Sequence, residues 1–427
     1  MANTFGKQIT VLFDDVLEGF DDWLVMSELV ETFNFDDQDL ERSSDTIWRP
    51  KPYISNSFTG IDQTGNFGDS VELLIPANVG TVQSANFTLS ATELRDGTQY
   101  SKLMRSKVQK LSSDINVALM NTAADQGTAV VDIATAATGY DDVALADAMF
   151  NERGVDVNER YMALSSRDYN GMAGNLAERQ TMNEKPTRAY EKSFVGEVAG
   201  FETHKLDYAN RLTAALGTTV TINAAAIGDR HYTPVTSVLA ADGFNRTNVD
   251  NRYQTITIGV VSGTVKAGDA FTIAGVNSVH NITKGDTGQP MTFRVHEILT
   301  GGGGAGTISI SPPIITVDDT TTPGDVQYQN CSATPANAAA ITFLNTTLAS
   351  VNPFWHKGAI ELNPSRLIID SSSNLQHMMG TTDQGMTLLM TSDGNLDTLK
   401  TRYRFDVLFG TTMLAPEMAG IMLFGQV

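Results

Sequence analysis

The sequence predicts an α+β protein built on one long helix, with an antiparallel β-barrel or sandwich inserted into it. Three features carry that expectation. An amphipathic run from Thr92 to about Asp125 has helical spacing. A block from 217 to 333 holds short alternating segments at intervals of ~8–12 residues, the pattern of a small all-β domain. Mixed helix and strand signals lie on both sides of that block, so insertion is the simplest arrangement. At 427 residues the chain is also too long for one compact core.

The elements follow in chain order. Residues 1–45 hold twelve carboxylates against Lys7 and Arg42, a net of −10 and half the chain's formal charge of −20. Within them Ile9, Leu12, Phe13, Val16, Leu17 and Phe20 recur at three- and four-residue steps, predicting an amphipathic helix over Lys7–Leu24. Asp14 and Glu18 fall one turn apart with Asp15 beside them, a carboxylate patch next to the apolar stripe. In residues 46–91 glycines punctuate alternating runs such as Val71–Ile75, which suggests a long β-hairpin or extended loop. Thr92 then caps the long helix, whose stripe is Tyr100, Leu103 or Met104, Val108, Leu111, Ile115 and Leu119. About thirty residues at 1.5 Å each gives ~45 Å.

A second helix is expected over Asp141–Asn151, then strands at Arg160–Ser165 and Val195–Leu206. In the 217–333 block, Ile256, Ile258, Val260, Phe271, Ile273, Phe293, Val295, Ile308 and Ile310 alternate with polar residues and form its expected core. Thr334 and Pro335 resemble the start of a helix carrying Ile341, Leu344 and Leu348. Strands at Arg402–Phe409 and Gly420–Phe424 close the chain.

Chemistry is sparse. With 29 basic against 49 acidic residues, the chain is a poor phosphate-gripping body. Lys102, Arg105, Lys107 and Lys110 cluster on the long helix, but without interleaved aromatics they read as partners for carboxylates. The run Gly301–Gly306 lacks the lysine of a phosphate loop and sits between strands, so a hairpin tip is expected. The six histidines show no i,i+4 pair, and Asp318–Asp325 lacks the order of a calcium loop. The single cysteine, Cys331, cannot form an internal disulfide, and no G-x-S-x-G is present. No catalytic residue, metal or cofactor is expected, and neither a secretory leader nor a membrane span is evident.

Several ordered blocks are familiar. Glu41–Trp48 (ERSSDTIW), Leu94–Tyr100 (LRDGTQY), Asp168–Tyr169, Val198–Phe201, Asn248–Tyr253 (NVDNRY), Ala267–Phe271 (AGDAF) and Asn352–Trp355 (NPFW) resemble the major coat protein family of Salmonella-type short-tailed double-stranded-DNA phages. The resemblance implies a Hong Kong 97-type capsid fold with an inserted β-barrel domain. It implies an acidic arm at 1–45, an extended loop at 46–91, a spine helix at 92–126 and an axial domain from 127–216 plus 334–400. The barrel would occupy 217–333, and 401–427 would close the peripheral domain.

The resemblance also implies a non-enzymatic coat protein that forms pentamers and hexamers of an icosahedral, T=7 shell through a scaffold-assisted procapsid. It would assemble in the host cytoplasm and reside in the virion, with a portal protein at one vertex and double-stranded DNA enclosed without sequence-specific contacts. Asp14, Asp15 and Glu18 become expected scaffold contacts. The loop 241–248, with Asp242 and Arg246, is expected to reach a neighbouring capsomer. A secreted or surface β-rich adhesin or carbohydrate-binding protein is the alternative, supported by the Thr- and Asn-rich β block and opposed by the absent leader and the long helix.

Overall fold

The computed structural model describes residues 13–34, 46–93, 97–178, 195–223, 237–239, 245–247, 250–316, 327–369 and 376–426, with 192, and without positions 15, 22, 56, 65, 66, 68–71, 208, 209 and 396. The chain divides into two compact units. One comprises 1–47, 76–120 and 360–412, and the other 48–75, 121–359 and 413–427.

The first unit comprises a sheet and residues 97–120 of the long helix Gly97–Gln126. Its central strand, Lys400–Met413, pairs antiparallel with Thr387–Asn395 on one side. Thr81–Ser90 pairs with the same strand over ten residues, from Lys400↔Ser90 to Phe409↔Thr81. Tyr100, Met104, Val108, Leu111, Ile115 and Leu119 are all buried, as the helical stripe requires. Tyr100 meets the sheet through Phe87 and Tyr403, with ring centroids 6.5 and 5.5 Å away. Thr92 is not the cap: it lies in a turn bound to Ser90, and helix begins at Gly97. The sheet's long strand carries the backbone through Ser90, and residues 91–93 form the turn that follows.

The N-terminal segment docks inside this unit. Residues 13–14 and 16–21 are helical, and Phe13, Val16 and Phe20 are buried while Asp14 and Glu18 are exposed. Gly380 makes the close approach possible, since a Cβ there would fall 2.7 Å from Leu17 and 2.9 Å from Phe13. Asn116 of the long helix then holds the bend that follows: its Oδ1 accepts from Met26 N at 3.1 Å, and its Nδ2 donates to Trp23 O at 2.9 Å. Glu31–Thr32 joins the sheet parallel to Ile360–Ser365.

The second unit contains a mixed sheet and the barrel. Ala129–Ile133, Ala419–Phe424, Asn352–His356, Arg160–Leu164, Phe201–Lys205 and Glu197–Val198 lie side by side in that order. Helices Tyr140–Arg153 and Ser166–Glu178 bury Val143, Ala146, Phe150, Tyr169 and Met172 in its core. Residues 401–427 therefore do not act as one closing segment: Lys400–Met413 and Ala419–Phe424 serve different sheets. Ala419–Phe424 is buried along its whole length and needs partners on both edges, which Ala129–Ile133 and Asn352–His356 provide.

The barrel is closed and antiparallel, in the order Thr218–Ile222, Gln254–Ser262, Gly306–Ser311, Asp286–Ile298, Ala270–Val279, Ala340–Phe343. Ile256, Ile258, Phe271, Ile273, Phe293, Val295, Ile308 and Ile310 form one buried cluster, with Val260 partly buried against it. The expected end at 333 is too early, and the expected helix is absent at Ala340–Phe343, which is a strand bonded to Thr218–Ile222 and Ala270–Val279. Two edges would otherwise expose their backbone groups, and Ile341 and Phe343 supply the inward alternation. The glycine run makes the tip between Asp286–Ile298 and Gly306–Ser311. Gly303 has φ +90°, and a Cβ there would sit 2.4 Å from Val265 O.

Candidate functional site

Two surfaces and one buried seat stand out. The first surface is the loop rooted by the paired strands Thr46–Pro50 and Leu74–Asn78. It is shorter than the expected hairpin over 46–91, because Thr81–Ser90 is committed to the sheet of the first unit. Between the root strands, Tyr53, Phe58, Ile61 and Phe67 are exposed, Ile61 and Phe67 almost completely (105% and 90%). Four large apolar side chains held out on one loop favour burial against another surface.

The second surface is the acidic face of the N-terminal helix, where Asp14 and Glu18 are exposed; Asp15 lies outside the described residues. Phe13, Val16 and Phe20 of the helix's apolar stripe are covered by their own chain. The expected capsomer-bridging loop is also altered. Asn245–Thr247 is a strand paired with Ser237–Leu239, with Arg246 opposite Val238, while Asp242 lies outside the described residues. A two-stranded ribbon satisfies backbone groups that a loop would leave to water.

The buried seat joins the barrel to the rest of its unit. Arg294 lies between core residues Phe293 and Val295 yet is only 4% exposed. Its guanidinium donates to the carbonyls of Ala124 and, at 3.4 Å, Gly127, at the C-terminal end of the long helix. It also donates to Gly268 O from Nε at 3.2 Å and Nη2 at 3.0 Å. Helix C-termini present unpaired carbonyls and partial negative charge, which a cation satisfies. Burial lowers its pKa to about 10, against the pull of Asp125 and Asp269.

Arg252 works beside it: Nη1 donates to Gln126 Oε1 at 3.2 Å and Met413 O at 3.1 Å, and Asp250 accepts from Nε and Nη2 at 3.0 and 2.7 Å. Burial opposes the Arg252 charge, but Asp250 outweighs it and holds the pKa above the usual value. Thr292 extends the seat, donating to Thr128 O at 2.6 Å and accepting from Arg153 Nη2 at 2.8 Å. Asp269 accepts from Asn345 Nδ2 at 2.9 Å and Lys266 N at 2.8 Å; burial nonetheless raises its pKa.

Sequence reasoning passed over Arg294, Arg153, Lys51 and Glu417, because an isolated charge in an alternating run looks like a solvated face. Arg252, Gly268 and Asp269 lie inside two of the blocks that carry the resemblance. On the long helix, Lys102, Arg105 and Lys110 are exposed and Lys107 half-buried, with Lys110 paired to Asp114. Among the described residues no group of His, Cys, Asp and Glu could hold a metal ion, and no helix is long and apolar enough to cross a membrane.

The chain belongs to the P22 coat protein family (gene protein 5), matching it over residues 1–425. It is accordingly a major capsid protein whose copies form the icosahedral shell of a bacteriophage, and its place is the virion capsid. Its fold is α+β with an inserted closed antiparallel barrel.

Solved structures similar to it include the CUS-3 coat protein I-domain, 40% identical, covering 30% of this chain and 96% of that one, with a TM-score of 0.22. A structure from Mycobacterium phage Che8 is 7% identical over 93% of this chain and 90% of that one, with a TM-score of 0.45. The capsid of the cyanophage P-SCSP1u is 12% identical over 93% and 86%, with a TM-score of 0.43.

Proposed function

We propose that the chain has no enzymatic activity and assembles as pentamers and hexamers around a scaffolding protein. The resulting procapsid forms in the host cytoplasm with a portal protein at one vertex, then matures around double-stranded DNA in a T=7 arrangement. The observation that carries this reading is the loop with Tyr53, Phe58, Ile61 and Phe67 held into solvent. A monomer gains nothing from that display, whereas a ring of copies covers it once per contact.

The net charge of −20 suits a wall that must not grip the genome it encloses. The first unit takes the role of the peripheral domain, the mixed sheet that of the axial domain, and the acidic arm that of scaffold receptor. The purified chain, alone and with a scaffolding protein, should give closed shells by sedimentation and negative-stain microscopy. A monodisperse monomer under every assembly condition refutes the reading.

A further inference from the structure

Glu417, in the short turn Pro416–Met418, is 7% exposed and has two different partners. Its Oε2 accepts from Lys51 Nζ at 2.9 Å, and its Oε1 accepts from Asn330 Nδ2 at 2.9 Å. Lys51 begins the extended loop, and its N–H donates to Leu73 O at 2.8 Å, so it also closes the loop's root. Asn330 belongs to the segment laced to the barrel: its Nδ2 donates to Pro313 O at 2.7 Å, its Oδ1 accepts from Ile315 N at 3.0 Å, and the next residue bridges to Ser278.

The two sides also share an apolar contact, because Leu73 of the loop, Ile315 and Tyr328 form one buried cluster with Ile54 against it. Asn251 N adds a hydrogen bond to Leu74 O at 3.2 Å. Lys51, Leu73, the barrel and Glu417 all lie in one compact unit.

The charge around this carboxylate is unbalanced. Arg153 is 4% exposed, and its Nε and Nη1 are buried without a hydrogen-bond partner. Burial lowers its pKa to about 10 while Glu417 pulls the other way. Lys284 donates to Gln327 O at 2.6 Å, and burial lowers its pKa to about 8 with Lys51 adding repulsion and Glu417 opposing. Three cations thus depend on one carboxylate, and a buried charge that loses its partner is far costlier than an intact pair. A cavity of about 290 Å³, lined in part by Lys51, Tyr53, Ile282 and Glu417, leaves the root room to shift.

We propose that Glu417 is a coupling residue through which barrel seating and the position of the extended loop's root bias each other. A partner docking on the loop then changes how firmly the barrel is held, and the reverse follows by reciprocity. The linkage belongs to the single chain, so it stands or falls independently of the scaffold-guided assembly proposed above.

The test is hydrogen exchange by mass spectrometry on the full-length subunit. Lys51→Met should speed exchange in barrel segments 277–284 and 327–332 by roughly tenfold, the scale of ordinary coupling between sites. Asn330→Ala should do the same at 48–55 and 72–75. Strand Thr387–Asn395, in the other unit, serves as the control and should not change. The double variant should fall short of the product of the single effects, and the far-side effects should persist from 0.1 to 1 M salt because the groups are buried.

Glu417→Gln, which keeps the shape without the charge, should loosen both sides at once. If Glu417 variants do not fold, Lys51→Met and Asn330→Ala decide the matter alone. Effects confined to the mutated side, with single changes that simply multiply, would overturn the coupling.

Discussion

Replacing Arg294 by Met should detach the barrel from the end of the long helix while sparing the barrel's own core. The methionine retains most of the aliphatic bulk but none of the donors. Carbonyls of Ala124, Gly127 and Gly268 lose their cationic partner. Hydrogen bonds to a charged group contribute about 1.5–3 kcal/mol each, so two strong sets bring about 3–6 kcal/mol. Against that stands the cost of burying a guanidinium, visible in a pKa lowered to about 10. A net loss of about 3 kcal/mol follows, within the range seen when a buried polar network is broken. At 1.36 kcal/mol per tenfold, that is roughly a hundredfold loss of protection. Native-state hydrogen exchange should show it at amides 124–128 and at Gly268, whose N–H is bound to Val295 O at 2.7 Å. Amides within Gln254–Ser262, paired only inside the barrel, should keep most of theirs. Unchanged protection at 124–128 would refute the seat as an energetic contact.

Four further outcomes are expected. A segment 217–345 should fold alone with a β-rich circular dichroism spectrum and a cooperative melt, while 217–333, lacking the strand Ala340–Phe343, should melt broadly or not fold. Charge reversal at Asp242 or Arg246 should disturb shell shape, scored by microscopy, and leave the subunit's melting temperature unchanged. Replacing Asp14, Asp15 and Glu18 together by Ala should give shells depleted of scaffold; since exposed ion pairs contribute only ~0.2–1 kcal/mol each, scaffold binding to the native arm should fall steeply with salt. Lys284, with a folded pKa of about 8 against 10.5 unfolded, binds fewer protons in the folded state between those values. Stability from this group therefore rises as pH climbs from about 8 to 10.5, and the rise should be smaller in Lys284→Met, measured by denaturant unfolding.

Periodicity in the sequence reports which face of an element is buried, and it did so well where one face meets one core. The long helix shows this from Tyr100 to Leu119, and the barrel shows it from Ile256 to Ile310. It does not report what the face meets. Ile341, Leu344 and Leu348 have helical spacing, yet Ala340–Phe343 closes the barrel because two strand edges were waiting for it. That vacancy exists only in three dimensions. The same holds for Leu17 and Phe13, whose resting place is a glycine more than three hundred and fifty residues away.

The seat was hidden for a further reason. In an isolated barrel, alternation assigns the residue between Phe293 and Val295 to water, and an arginine there looks ordinary. An inserted domain has an outer surface that is partly another core's inner one, so its outward positions divide into solvated and docked. Only the docked ones need groups like Arg294, Thr292 and Arg252, which carry donors to main-chain carbonyls at fixed points. Main-chain acceptors are present whatever the side chain, so these attachments leave no complementary residue type in the partner segment. Ala124, Gly127 and Thr128 accept through the backbone, and nothing in their own side chains announces it. Single-sequence pairing arguments search for a carboxylate opposite each buried arginine, and here the carboxylate is replaced by the end of a helix.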